Sequence, residues 1–208
     1  TKTKNTFQQE TRLFPRDIRP AEAASRNNIP LSFTYNKTVK GNGDLMKKYA
    51  YFTEFIAVGI VGTLWHFLYD WTNKNAFIGA IAPVNESIWE HLKLLFFPAV
   101  IYSVIEYFIL KDRPKNYIAA SALGIFGGML AITAFFYTYT GILGYNLMAL
   151  DVLSFFIGVF VMLYIKNRII KNKKLIGSAA QYVFLGITAL SLLLFVLWSF
   201  NSPSIGIF

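Results

Sequence analysis

Residues 117–139 read YIAASALGIFGGMLAITAFFYTY, an apolar run with no charged side chain from end to end. A bilayer core about 30 Å thick needs ~20 mainly apolar residues per helix, and this run is long enough. Within it, Ala120, Gly124 and Gly128 recur every four residues. Small residues at that spacing let two helices approach closely in lipid. Further runs at 50–71, 87–110, 147–165 and 179–200 meet the same length test. The expected fold is all-α, a polytopic membrane protein with a five-helix transmembrane bundle.

Composition agrees. Of 208 residues, 55% are hydrophobic and only 15% charged, and the mean hydropathy is +0.44. Soluble domains carry about 25% charged residues. The net charge of +9 raises nucleic acid or anionic lipid as partners. The basic residues flank the apolar blocks and form no aromatic-interleaved basic surface, so lipid is expected and nucleic acid is not. Cysteine is absent, which excludes disulfides, thiolate metal sites and cysteine nucleophiles.

The charges that flank the blocks set an expected orientation. Lys47 and Lys48 precede the first helix, and Lys111, Arg113 and Lys115 lie between the second and third. Lys166, Arg168, Lys171, Lys173 and Lys174 lie between the fourth and fifth, whereas the opposite side carries only Lys74 and Lys93. The positive-inside rule then places the N-terminus inside and the C-terminus outside. Trp65, Trp71, Trp89 and Trp198 fall near the outer interface, as an aromatic belt would. Pro98 is expected to kink the second helix.

Residues 1–45 are polar, contain Pro15, Pro20 and Pro30, and hold no run able to span a bilayer. They are expected to be an extended or disordered basic arm, either an added leader or a native cytoplasmic segment. Met46-Lys47-Lys48 followed by an apolar run looks like a natural start, and residues 46–208 form the bundle.

The polar chemistry gathers at the outer end. His66, Asp70, Glu86, Glu90, His91 and Asp151 all come to that side, as do Tyr137–Thr140. Intramembrane ionisable groups are costly and tend to mark functional sites. His66 and Asp70 are four apart and share a helix face, as do Glu86 and Glu90. Zinc accepts histidine nitrogen and carboxylate oxygen. A divalent metal such as Zn is therefore a candidate, with His66, Asp70, His91 and Asp151 as ligands. A metal-bound water could attack a lipid ester or amide, with Glu86 and Glu90 as catalytic carboxylates. Neither HExxH nor HxxxH is present.

Simpler readings stand beside these. Ser87-Ile88-Trp89-Glu90 fits a capping box. Glu90 and Lys93 fit an i,i+3 ion pair at the interface. Asp151 suits the positive N-terminus of the fourth helix. Glu54 and Glu106, near the inner helix ends, are expected to snorkel to the headgroups.

The stretch Pro83–Pro98, PVNESIWEHLKLLFFP, resembles the signature of a domain-of-unknown-function family of small bacterial multi-pass membrane proteins. His66–Trp71, Tyr137–Gly144 and Leu150-Asp151 are similar to that family's other motifs. The resemblance covers about residues 46–170. It implies a multi-pass protein of the bacterial cytoplasmic membrane and implies no activity. Three function classes follow: a metal-dependent hydrolase of a lipid or lipid-linked group, a non-enzymatic accessory subunit of a membrane complex, and a small-solute or proton transporter.

Overall fold

Four of the apolar blocks form helices long and apolar enough to cross a membrane. The computed structural model describes residues 51–110, 114–172, 177–201 and 203. The expected arm at 1–45, the start at Met46 and the basic residues Lys111, Arg113, Lys173 and Lys174 lie outside them. Among the described residues there is no strand.

The helices are α1 (Tyr51–Trp65), α2 (Leu68–Trp71), α3 (Ala76–Gly79), α4 (Ile88–Ile109), α5 (Tyr117–Leu143), α6 (Met148–Lys171) and α7 (Ser178–Trp198). The four helices long and apolar enough to span are α4 to α7. The described part of the first expected helix is shorter. It stops at Trp65, turns at His66 and Phe67, and resumes as the single turn α2.

Local chemistry sets the other boundaries. The Ser87 Oγ accepts the Glu90 amide at 3.3 Å and opens α4. This is half of the expected capping box. The Ser87 amide goes to Asn85 Oδ1 at 2.9 Å, while the Glu90 carboxylate bonds the Val84 amide at 2.9 Å. Helix α4 runs on through Pro98. Gly144, at φ 78°, closes α5 in the left-handed conformation that glycine adopts without steric cost. Arg168 and Lys171 lie in the last turn of α6, where positive charge complements the helix dipole.

The small residues of α5 do what their spacing implies. A Cβ on Gly124 would lie 2.7 Å from the Met162 carbonyl oxygen, and one on Gly128 would lie 2.6 Å from that of Gly158. The α5 and α6 backbones therefore touch, and dispersion contacts at that range hold helices together where lipid removes the hydrophobic drive. On α1 the close contact is at Gly62, whose added Cβ would meet the Leu94 carbonyl oxygen at 2.6 Å. It is not the Gly59–Thr63 pair; the Thr63 hydroxyl instead folds back onto the Gly59 carbonyl at 2.8 Å.

Leu92, Leu95, Phe96, Val159, Met162 and Phe195 fill the centre of the bundle. The Phe195 ring of α7 lies 4.5 Å from Trp89 and 4.9 Å from Phe96. Much of the outward surface is apolar: Val104, Ile105, Phe108, Leu130, Phe160, Leu185 and Leu193 are all exposed. Exposed apolar faces of this extent mark a surface made for a non-aqueous neighbour.

Glu90 and Glu106 sit sixteen positions apart on α4, roughly 24 Å along its axis at 1.5 Å per residue. Polar side chains thus gather at two opposite ends of the bundle. One is a histidine end with His66, Glu86, His91 and Asp151. The other is a basic end with Glu54, Glu106 and Lys166.

Candidate functional site

At the histidine end a cavity of about 490 Å³ lies among α1, α4, α5 and α6. Ligand pockets typically measure about 300–1,000 Å³. Its polar lining is Thr63, His66, Glu86, His91, Asn146, Asp151 and Ser154, and its apolar lining includes Phe67, Leu94, Ile132, Phe136 and Phe155.

Glu86 stands between two imidazoles. Its Oε2 is 3.3 Å from His91 Nε2 and its Oε1 is 3.9 Å from His66 Nε2. The two rings lie 5.6 Å apart, tilted by 33°. The His91 Nδ1 lies 2.9 Å from the Ser87 carbonyl oxygen. A carbonyl can only accept, so Nδ1 carries a proton. His91 Nε2 then faces a carboxylate oxygen. Nδ1 of His66 is buried and has no hydrogen-bond partner among the described residues. The Glu86 side chain is 76% exposed, so its carboxylate is open to a ligand or water.

Asp151 opens α6 and lines the same cavity. The Tyr139 hydroxyl donates to its Oδ1, which joins the end of α5 to the start of α6. The Ser154 Oγ donates to the Asp151 carbonyl oxygen at 2.6 Å. The hydroxyls of Ser154 and Thr63 are thus both committed to backbone, and neither is placed as a nucleophile.

The expected site is therefore partly gathered. His66, Glu86, His91 and Asp151 line one cavity. Asp70 sits on α2, exposed, and is not among the lining residues. The break at His66–Phe67 cancels the four-residue register that placed it beside His66. Glu90 is turned away into the bundle, where its Oε2 accepts from Lys93 Nζ at 2.7 Å. Among the described residues, no group of three or more histidine, aspartate or glutamate side chains is arranged to hold a metal ion.

The Glu90–Lys93 pair is buried rather than interfacial. Lys93 Nζ also donates to Ser199 Oγ at 2.6 Å and reaches the carbonyl oxygens of Gly79 at 3.2 Å and Ala82 at 3.4 Å. One ammonium thereby ties α4 to α7 and to the loop that carries Glu86.

The basic end holds a site that reading the sequence missed. Glu54 and Glu106 do not snorkel. Lys166 Nζ donates to Glu54 Oε1 and Oε2 at 2.7 and 2.8 Å and to Glu106 Oε2 at 2.7 Å. The Tyr117 hydroxyl bonds the same Glu106 oxygen at 2.6 Å. Four helices, α1, α4, α5 and α6, meet in this one network. Lys166 is therefore a buried bundle residue and not one of the loop charges that orient the chain. In addition, Gln181 Oε1 accepts the Ala119 amide at 2.9 Å, which ties α7 to α5 at this end.

No characterised protein and no solved structure matches the chain. One family profile does, over residues 41–208. That span takes in the whole described bundle, both buried lysine sites and the cavity, and the chain belongs to the Family of unknown function (DUF6512).

Proposed function

We propose that the protein is a multi-pass membrane hydrolase whose cavity takes the polar head of a lipid or lipid-linked group, with the basic end facing the cytoplasm. The observation that carries this reading is the His66–Glu86–His91 cluster in a cavity whose remaining wall combines Thr63, Asn146, Asp151 and Ser154 with apolar side chains. Its chemistry suits acid–base catalysis. Glu86 takes a proton from a water, the resulting hydroxide attacks the ester carbonyl, and an imidazolium returns a proton to the departing alcohol. The Ser87 carbonyl fixes the His91 ring through Nδ1, as an orienting group does for a catalytic imidazole.

Glu86→Gln and His91→Ala should each lower turnover of a panel of lipid esters in mixed micelles by about 10²–10⁴-fold while the bundle stays folded. Unchanged turnover in both would sink the acid–base reading and favour an accessory subunit. Elemental analysis beside a His66→Ala/His91→Ala double variant separates the metal-dependent form of this reading. About one Zn, Mn or Fe per chain, lost in the variant, would reassign the attacking group to a metal-bound water.

The orientation is tested separately. The absence of native cysteine allows single-cysteine labelling without background. A membrane-impermeant maleimide should reach Asn172→Cys only from the cytoplasmic side and Lys74→Cys only from the other. The reverse pattern would invert the topology and place the cavity inside.

A further inference from the structure

The histidine-end cavity has a one-sided set of charges. Among the described residues that line it are two carboxylates, Glu86 and Asp151, two imidazoles, and no lysine or arginine. With both imidazoles neutral, the lining carries two negative charges. With both protonated it reaches neutrality, so it is never positive while the carboxylates are ionised. We propose that the group this cavity receives is a cation, the ammonium head of an amine-bearing lipid, with Asp151 as its counter-ion. The proposal rests on the reading of the cavity given above and narrows its substrate class.

Three features assign the charge. First, an anionic head finds little to pair with. The hydroxyls of Thr63 and Ser154 are spent on the carbonyl oxygens of Gly59 and Asp151. The buried ammoniums of Lys93 and Lys166 are held by carboxylates of their own at 2.7 Å, and neither residue lines the cavity. A phosphate brought here would meet two carboxylates, and like charges set against each other are strongly unfavourable.

Second, Asp151 is only half used. The Tyr139 hydroxyl donates to Oδ1, and the other oxygen has no partner among the described residues. A carboxylate accepts on both oxygens, so Oδ2 is open to a charged donor. Third, the wall suits an organic cation. Phe67, Phe136 and Phe155 line the same space. Aromatic rings attract an ammonium through their quadrupole, the more so where water is excluded. A catalytic zinc ion asks for three converging protein ligands, and among the described residues no such group is arranged. An ammonium asks for one carboxylate and an aromatic surround, which this cavity has.

The two carboxylates thereby differ in duty. Glu86, between the imidazoles, keeps the acid–base role. Asp151, in the first turn of α6, holds the head and sets which lipid is taken.

The test uses the full chain in mixed micelles with three diacyl lipids that share their acyl chains. One has a trimethylammonium head, one a neutral hydroxyl and one a phosphate. Turnover and equilibrium binding are measured for each. The trimethylammonium lipid should show a KM roughly tenfold below that of the neutral lipid, the size of one well-desolvated cation contact. The phosphate lipid should bind worst. Asp151→Asn keeps an acceptor for Tyr139 and should fold. It should weaken binding of the ammonium lipid by a similar factor and so erase the preference. Equal KM for the three heads, a preference for phosphate, or a preference that Asp151→Asn leaves intact overturns the cation, and turnover that persists in those cases leaves the acid–base reading standing. Turnover of none, with ammonium binding that Asp151→Asn abolishes, would sink the hydrolase and support the cation site. Neither turnover nor binding would sink both. Free tetramethylammonium separates the sources. Binding as tight as that of the lipid would reassign the site to a soluble amine and overturn the lipid half of the proposal.

Discussion

Lys166→Met should destabilise the bundle by about 3–5 kcal/mol, the cost of removing one partner from a buried charge network. All three ammonium protons are used at 2.7–2.8 Å. Methionine fills similar volume and supplies none of them. Glu54 and Glu106 would then face each other across α1 and α4 with Tyr117 as the remaining donor. The comparison that isolates charge from packing is the triple variant Glu54→Leu/Glu106→Leu/Lys166→Met. Replacing a whole buried ionic set by apolar groups of similar volume is often close to neutral. The triple variant should therefore recover most of what the single one loses. Unfolding in mixed detergent micelles measures both. Equal losses in the single and triple variants would mean that Lys166 acts through its stem packing.

The second large effect is expected from Lys93→Met, again about 3–5 kcal/mol, with a different distribution. The variant would leave Glu90 buried, with the Val84 amide as its remaining donor. It would also release the carbonyls of Gly79 and Ala82 and the Ser199 hydroxyl. These groups lie at the end of α3, on the segment from there to α4, which carries Glu86, and just past the end of α7. Hydrogen exchange should rise first at residues 79–90 and 195–199. Glu90→Gln should cost a similar amount, about 3–5 kcal/mol, because an amide oxygen still accepts from Lys93 but the buried ammonium loses its counter-charge. Uniform exchange along the whole chain would contradict the assignment of Lys93 as a local tie.

The four helices long enough to span were legible because long apolar runs carry length as well as composition. The expected 117–139, 147–165 and 179–200 became Tyr117–Leu143, Met148–Lys171 and Ser178–Trp198. The stop at Trp65 was not legible. The stretch Thr63–Trp71, TLWHFLYDW, contains neither glycine nor proline, and apolar content does not distinguish a helix from a helix with a turn in it.

The same limit governs the site. Reading Glu86 and Glu90 as four apart on one face assumed that both were helical. Ser87 is the extended cap, at φ −70° and ψ 152°, so helical register begins only after it. Glu86 consequently looks toward the histidines and Glu90 into the bundle. The convergence of His66, Glu86, His91 and Asp151 was visible because it follows from which helix ends share a side. The meeting of Glu54 with Lys166 was not. A charge near a helix end can turn outward to the headgroups or inward to a partner, and the choice depends on how the helix is rotated, which lone charges near helix ends do not encode.

The bond between Lys93 and Ser199 has a consequence for the order of synthesis. The two residues are 106 positions apart, and Ser199 lies just past the end of the last helix. At about 5–20 residues per second, roughly 5–20 s separate the emergence of the ammonium from that of its hydroxyl acceptor. During that interval the Glu90–Lys93 pair must wait in an unfinished bundle, within reach of water or of the insertion machinery. A nascent chain halted before α7 would therefore lack one of the four acceptors that hold this ammonium.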